Sequence, residues 1–241
     1  MQFSSKENID KKQEIKSGLY VVSTPIGNLE DITLRAINTL KTVDTIISED
    51  TRITKRLLKK FEIITKTISY HKYNQISKLP KILKELSISN MALVSDAGTP
   101  GINDPGSLLI SEARKMKIQI IPIPGPSAIT SALSISGLNT DSFIHLGFLP
   151  QKKSKKQKAL LNAKNNLVPT IFFESPYRFE TTINLLVEIM GNRNIVVCRE
   201  MTKIYEQIFQ GQASQALKNI SPIKGEFTII IDPTIENNII D

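Results

Sequence analysis

The sequence predicts an α/β protein of two domains, with a mostly parallel N-terminal sheet flanked by helices and a C-terminal domain built on a mixed sheet. Three observations predict this fold. The 241 residues are 40% hydrophobic, enough to bury the cores of one or two small domains. In the first half, short apolar segments alternate with longer segments of helical period, which is typical of a buried parallel sheet. In the second half, strand-like segments outnumber helical ones, which favours a mixed sheet.

The first half alternates regularly between the two kinds of segment. Each strand is a short, nearly continuous apolar run, as expected for strands covered on both faces. The predicted elements are, in chain order, strand 19–23, helix 32–40, strand 43–47, helix 51–60, strand 91–94, helix 108–116, strand 118–121 and helix 128–135.

A turn-rich stretch, 137–141, interrupts this alternation, so we place a domain boundary there. The N-terminal domain is then 18–138 and the C-terminal domain 139–241. Residues 1–17 have almost no apolar periodicity and predict a disordered tail, and a short frayed tail is expected from Asp232 onward. The C-terminal elements are strand 143–147, helix 154–165, strand 170–173, helix 177–190 and strands 195–198, 204–210 and 227–231.

The composition narrows the classes of function. Lysine and arginine total 31 against 23 acidic residues, a net charge of +8 that favours a polyanionic partner. A single cysteine, Cys198, and two histidines exclude a disulfide framework and a Cys/His zinc site, so we expect no metal. No apolar run reaches the roughly 18 residues that span a bilayer, and the N-terminus lacks a secretory signal. We therefore expect a cytoplasmic protein.

Small and polar residues follow four of the predicted strands. In an open α/β sheet, ligands bind outside the carboxyl ends of the strands, so we expect the four loops to line one crevice. The loops contain neither G-x-G-x-x-G nor a P-loop motif, which weakens dinucleotide and nucleoside triphosphate interpretations. Their glycines allow a ligand to approach the backbone closely. The loops are 23–28, 48–52, 95–101 and 122–128.

These loops and several later motifs carry a resemblance to a known family. The first-half segments are STPIGNLEDIT at 23–33, EDTR at 49–52, SDAGTPGINDPG at 95–106 and PGPSA at 124–128. GFLP at 147–150, FESPYR at 173–178, REMTK at 199–203 and KGE at 224–226 follow in order. Over about 18–231 the chain resembles the ribosomal RNA small subunit methyltransferase I family of the tetrapyrrole methylase superfamily. It departs from that family at Asn103, where a serine is expected, and in ending soon after the KGE motif.

The resemblance implies a specific reaction. A homodimeric methyltransferase would use S-adenosylmethionine to methylate the ribose 2′-hydroxyl of a decoding-region cytidine in the 16S rRNA of the small ribosomal subunit. Carried over by position, the cofactor-binding residues would be Pro25, Ile26, Gly27, Asn28, Ser95, Asp96, Ala97, Gly98, Thr99, Ile102, Gly125, Ser127 and Ala128.

The catalytic demands of such a reaction are modest. A sulfonium methyl is already activated, so the protein must mainly align a nucleophilic oxygen, and no metal is required. A carboxylate near the hydroxyl would help by taking its proton. Of the motif carboxylates Glu49, Asp50, Asp96, Glu174 and Glu200, we favour Asp50 and Glu174. Alternatively, Asp50 caps the helix that follows it, and Glu174 forms an ion pair with Arg178.

Basic residues identify a candidate RNA-binding surface. The densest cluster contains Lys152, Lys153, Lys155 and Lys156, and a basic stripe attracts an RNA backbone without reading its sequence. A merely solvated helix face is the alternative. Four further cations lie beside motif carboxylates and could contact phosphate or form structural ion pairs, namely Arg52, Arg178, Arg199 and Lys203.

Two other functions remain open from the sequence. One is a methyltransferase of the same superfamily that acts on a tetrapyrrole or another small molecule. The other is a non-catalytic RNA-binding or ribosome-assembly protein that retains the fold. The basic cluster and the net charge favour RNA over a small molecule, and the intact glycine loops argue against a non-catalytic protein.

Overall fold

Two five-stranded sheets organise residues 18–233, the part of the chain that this computed structural model describes. They belong to two compact units. Within the described residues, the first unit comprises 18–23 and 33–124, and the second comprises 24–32 and 125–233. The predicted N-terminal tail and most of the predicted C-terminal tail lie outside the described residues.

The first unit contains an entirely parallel sheet with strand order β3-β2-β4-β1-β5. Strand β1 lies between β4 and β5, and its Leu19 pairs with Met91 of β4 on one side and with Ile120 of β5 on the other. Because every strand runs in the same direction, all five carboxyl ends meet at one edge of the sheet. The strands are β1 Leu19–Val22, β2 Thr45–Ser48, β3 Lys66–Ser69, β4 Met91–Val94 and β5 Ile120–Ile123.

Four helices accompany this sheet: α1 Leu34–Thr42, α2 Thr51–Lys60, α3 Gln75–Leu86 and α4 Ser107–Lys115. Side chains of α3 and α4 pack with the strands in one hydrophobic core, in which Ile82, Leu86 and Leu109 contact the residues of β1 and β4. Local capping accounts for two of the helix starts, because the Thr33 and Asp50 side chains accept hydrogen bonds from the first turns of α1 and α2.

The second unit contains a mixed sheet with strand order β6-β7-β10-β8-β9. The β6–β7 pair is parallel, and the other three pairs are antiparallel. This confirms the predicted fold class of a parallel sheet followed by a mixed one. The strands are β6 Ile144–Phe148, β7 Thr170–Glu174, β8 Asn194–Arg199, β9 Gln207–Gln212 and β10 Phe227–Ile231, and the helices are α5 Ala128–Ser134, α6 Lys153–Lys164, α7 Pro176–Met190 and α8 Ala213–Asn219.

Both faces of the second sheet are covered. On β10, Phe227, Ile229 and Ile231 join the core beneath α6, α7 and α8, whereas Ile230 points to the opposite face. There it packs with Ile129 of α5. Alternate residues of a strand face opposite sides of its sheet, so two covered faces require a continuous apolar run. This explains why all five residues of β10 are buried.

The division into units differs from the boundary that the sequence predicts near residue 138. Helix α5 belongs to the second unit because Ile129, Ala132 and Leu133 pack on the second sheet. The segment 24–32 also belongs there, although it precedes α1 in sequence, because Ile26 is buried in the same hydrophobic cluster. Hydrophobic contact with the second sheet therefore decides the membership of both segments.

Candidate active site

Loops at the carboxyl edge of the first sheet are tied together by short polar contacts. The Ser23 hydroxyl lies 3.0 Å from the Thr99 hydroxyl, and the Ser23 N–H donates to the carbonyl of Ile123. The Asp50 N–H donates to Asp96 Oδ1 at 2.9 Å. Residues that follow β1, β2 and β4 thus meet at one edge together with the last residue of β5, as expected for parallel strands.

The predicted cofactor-binding residues divide between the two units. Those in the first unit are Ser95–Thr99 and Ile102, and those in the second are Pro25–Asn28, Gly125, Ser127 and Ala128. Each set contains exposed small residues, Ala97 in the first unit and Gly27 and Gly125 in the second, whereas Ile26 and Gly98 are buried. That all four loops form a single crevice stays a prediction.

Asp50 has an internal role at the start of α2. Its Oδ1 accepts a hydrogen bond from the Arg52 N–H at 2.8 Å, and its Oδ2 lies 2.6 Å from the Arg52 guanidinium, whose side chain is 88% exposed. The hydrogen bond from Arg52 lowers the pKa of Asp50 to about 2. A carboxylate with such a low pKa is a poor proton acceptor near neutral pH, and the geometry is that of a helix cap.

Glu49, the neighbouring carboxylate, has the opposite electrostatic environment. Burial, together with the nearby charges of Asp104 and Asp96, raises the pKa of Glu49 to about 7. Burial also raises the pKa of Asp104, to about 6, and that of Asp96. Near neutral pH the Glu49 carboxyl therefore exchanges a proton readily, which is the property required of a general base or acid.

Glu174, the second carboxylate favoured from the sequence, is completely buried at the end of β7. Its oxygens lie 2.6 Å from the Arg178 guanidinium and 3.3 Å from Lys156 Nζ. The Thr182 hydroxyl and the Ser175 N–H also donate to it, at 2.7 and 2.8 Å. Glu174 thus joins β7 to α6 and α7 through a buried network, as in the alternative interpretation that paired it with Arg178.

The structure places Lys156 in this network and not on an exposed basic face. It is 5% exposed, and its ammonium also donates to the Thr182 hydroxyl at 2.6 Å. A sequence signal was available, because Lys156 precedes the buried Leu160 and Ala163 at helical spacings of four and seven residues, which places it on the apolar face of α6. The other predicted lysines, Lys152, Lys153 and Lys155, are exposed.

The cations of the REMTK motif also have partners within the second unit. Arg199 is buried, and its Nε donates to the carbonyl of Lys224 at 2.7 Å. Lys203 Nζ lies 2.9 Å from Glu200 Oε1 and 2.7 Å from Glu226 Oε2. The Lys203 contacts match the structural ion pairs that were the alternative to phosphate binding, whereas Arg199 is held by a backbone carbonyl.

Residues 18–233 contain neither a membrane-spanning helix nor a metal-binding cluster of side chains. No helix in this range is long and apolar enough to cross a membrane. Nor does the range contain a group of three or more His, Cys, Asp or Glu side chains arranged to hold a metal ion.

The sequence matches a family model and several curated proteins. Residues 18–217 match the model of the Tetrapyrrole (Corrin/Porphyrin) Methylases. The chain is 45% identical to a ribosomal RNA small subunit methyltransferase I from Halalkalibacterium halodurans, over 92% of this chain and 78% of that protein. Proteins of the same name from Bacillus subtilis (44% identity, 89% of this chain and 74% of that protein) and Thermotoga maritima (42% identity, 88% and 97%) also match.

Solved structures share the fold at low sequence identity. A diphthine synthase superposes with a TM-score of 0.70 at 13% identity, covering 90% of this chain and 91% of that one. A cobalamin biosynthetic enzyme, cobalt precorrin-4 methyltransferase, superposes with a TM-score of 0.67 at 14% identity, covering 89% and 94%. Likeness at this level of identity concerns the fold alone.

Proposed function

Because the chain belongs to the ribosomal RNA small subunit methyltransferase I family, within the tetrapyrrole methylases, we propose that it methylates the ribose 2′-hydroxyl of a decoding-region cytidine in 16S rRNA. The observation that carries this proposal is 42–45% identity to proteins of that name over about nine-tenths of the chain. Membership makes the chain a methyltransferase. The nucleotide, the sugar oxygen and the cofactor are the proposed part.

We propose S-adenosylmethionine as the methyl donor. When bound, it supplies a methyl group already activated on a sulfonium. Residues of the proposed site suit such a ligand, since Gly27, Ala97 and Gly125 are exposed and their small side chains allow a ligand to approach the backbone closely. The chain's own task is to hold the donor and the sugar oxygen in line and to exclude water.

Glu49 is the proposed acceptor of the proton from the 2′-hydroxyl. Its pKa of about 7 leaves a large ionised fraction at neutral pH and also makes the carboxylate a useful base. Asp50 and Glu174, which the sequence favoured, are already engaged by Arg52 and by Lys156 with Arg178. In this proposal Asp50 starts α2 next to Glu49, and Glu174 fixes the packing of α6 and α7.

The proposed RNA contact is the exposed basic segment at the start of α6. Lys152, Lys153 and Lys155 are exposed, and the chain as a whole carries a net charge of +8. Lysines without a fixed geometry bind phosphate as point charges, so this contact would add affinity without sequence specificity. Action on the small ribosomal subunit in the cytoplasm, by a homodimer, completes the proposal.

A labelling experiment tests the function. The protein is incubated with methyl-labelled S-adenosylmethionine and small ribosomal subunits that lack the modification, and in parallel with free 16S rRNA and with a tetrapyrrole. The proposal expects label in the 16S rRNA of the subunits. Label only in the tetrapyrrole would show that the substrate is a small molecule and not rRNA. RNA binding without methyl transfer in any sample would show that the protein is not a catalyst.

A further inference from the structure

The segment that contains Gly27 and Asn28 packs against the REMTK loop within the second unit. A Cβ atom placed on Gly27 would lie 2.5 Å from Thr202 Oγ1, 2.6 Å from Lys203 Cγ and 2.8 Å from the carbonyl of Met201. The next residue, Asn28, donates its N–H to the Thr202 hydroxyl at 2.9 Å. The backbone at 27–28 therefore rests directly on Thr202, with no room for a side chain in between.

Thr202 itself is held in an unfavourable backbone conformation. Its φ is +66°, and that of Glu200 is +52°, in the left-handed region that non-glycine residues rarely adopt and β-branched ones least. Such strain persists only where the surrounding structure determines it, and it concentrates at functional sites. Here the Thr202 N–H donates to Glu206 Oε2 at 2.6 Å, which fixes the loop from its other side.

A second set of contacts fixes the base of the same loop. Glu200 Oε1 accepts hydrogen bonds from Lys203 Nζ and from the Glu226 N–H, each at 2.9 Å. Lys203 Nζ also donates to Glu226 Oε2 at 2.7 Å. Gly225 has a φ of +88°, and a Cβ there would collide with the Glu200 side chain. The REMTK and KGE motifs thus bind each other through hydrogen bonds and close packing, which hold the Thr202 hydroxyl in a fixed position.

Apolar packing joins this loop to the start of α5. Met201 and Ile26 are both buried in the cluster that contains Ile129, and Ala128 packs against the same cluster. The REMTK loop consequently contacts the 25–28 segment through a hydrogen bond and shares a core with both that segment and α5.

We propose that Thr202 is a positioning residue for the methyl donor: its hydroxyl holds the Gly27–Asn28 backbone in the conformation that binds the donor. The inference rests on the proposed function, since that function assigns 25–28 to the cofactor site. It gives the REMTK and KGE motifs a task other than phosphate binding, and it explains why a strained threonine stands where glycine or asparagine would be conformationally easier.

Two substitutions of Thr202 separate positioning from folding. Thr202→Gly removes the hydroxyl and also relieves the left-handed strain, so the melting temperature should stay within about 2 °C of wild type. Thr202→Ser removes a methyl group and keeps the hydroxyl. The matched control is Thr42→Val, which removes an exposed hydroxyl that bonds the carbonyls of Asn38 and Thr39 in α1.

The measurement is the dissociation constant of S-adenosylmethionine by titration calorimetry, together with KM for the donor and kcat on small subunits. Thr202→Gly should weaken donor binding about fivefold to tenfold, the loss expected for one hydrogen bond that orders a binding loop. KM for the donor should rise in parallel while kcat changes less than twofold. Thr202→Ser and Thr42→Val should stay within about twofold of wild type for both constants.

The outcomes distinguish this inference from the function on which it rests. Wild-type protein that binds no S-adenosylmethionine would reject the proposed cofactor. Normal binding by wild type and by a folded Thr202→Gly variant would reject positioning and leave the function standing. A fall in melting temperature with unchanged donor affinity of the folded fraction, in any Thr202 variant, would assign the hydroxyl a purely structural role and also overturn the inference.

Discussion

Glu174→Gln separates a catalytic role of this carboxylate from a structural one. The substitution preserves the shape of the side chain but removes its charge, so Lys156 keeps the Thr182 hydroxyl and loses its buried carboxylate partner. Both side chains are almost fully buried, and breaking a buried ion pair by removing one partner costs about 3–5 kcal/mol. Arg178, whose side chain is partly exposed, can turn to solvent, so we expect the lower end, about 3 kcal/mol.

The expected loss is large enough to measure thermally. In a chain of 150–250 residues, 1 kcal/mol corresponds to a shift of about 2–4 °C, so Glu174→Gln should lower the melting temperature by about 6–12 °C. Lys156→Met keeps an apolar stem and leaves Glu174 paired with Arg178, so its cost should be smaller. Adding Lys156→Met to Glu174→Gln should recover part of the loss in melting temperature, because the double variant no longer buries an ammonium without its carboxylate partner.

Differential scanning calorimetry measures these shifts in melting temperature. Methyl transfer is assayed well below the melting temperatures of wild type and variants, so that it gives the activity per folded molecule. We expect Glu174→Gln to keep kcat within about fivefold of wild type, since the carboxylate acts through packing of α6 and α7 and not on substrate. A variant with an unchanged melting temperature and kcat reduced by about a hundredfold or more would refute this reasoning and make Glu174 the general base.

Four further predictions concern Glu49, Asp50 and the basic segment. Wild-type kcat should rise with pH and level off above about 7, whereas Glu49→Gln should lower kcat about a hundredfold or more and abolish that inflection; an unchanged profile would exclude Glu49. The pKa of Glu49 in the folded protein lies above its ordinary value of 4.5, so ionisation of Glu49 destabilises the fold progressively from about pH 4.5 to 7. Glu49→Gln should therefore raise the melting temperature at pH 8 and not at pH 4.5. Asp50→Asn retains a good helix cap, so activity and melting temperature at pH 7 should change little, and inactivation would restore Asp50 as the base. Finally, the double variant Lys152→Glu, Lys155→Glu should reduce the slope of log K for subunit binding against log salt concentration by about 2. The charge-matched double variant Lys81→Glu, Lys84→Glu, in α3, should leave that slope unchanged. Equal slopes for the two double variants would reject the α6 contact.

The central elements of both sheets could be predicted from the sequence because their hydrophobic patterns are strong. Strands β4 and β10 are fully buried and apolar except for Thr228, and each stands out against polar flanking residues. The edge strand β3, Lys66–Ser69, was missed because it is half exposed and carries no apolar run. Helix α3 contains Pro80, an interior helix breaker that obscures the helical period.

The candidate site was predictable in its loops and less so in its side chains. Loop positions follow from where strands end, which periodicity reveals. The roles of individual carboxylates depend on neighbours brought close by the fold. Asp50 and Glu49 are adjacent in sequence, yet Arg52 lowers the pKa of one, while burial beside Asp104 raises that of the other. The local contacts were visible in the sequence, namely the Asp50 helix cap, the Glu174–Arg178 pair and the α6 spacing that buries Lys156.

The measurement that tests the central claim most directly is the chemical position of the transferred methyl group. Small ribosomal subunits labelled by the enzyme are stripped of protein, and the 16S rRNA is hydrolysed with alkali, which cleaves next to every nucleotide that has a free 2′-hydroxyl. Methylation of a cytidine 2′-oxygen predicts that all label resides in one alkali-resistant dinucleotide that begins with cytidine. Label released as a mononucleotide carrying a methylated base would contradict the account, whatever the rate of transfer.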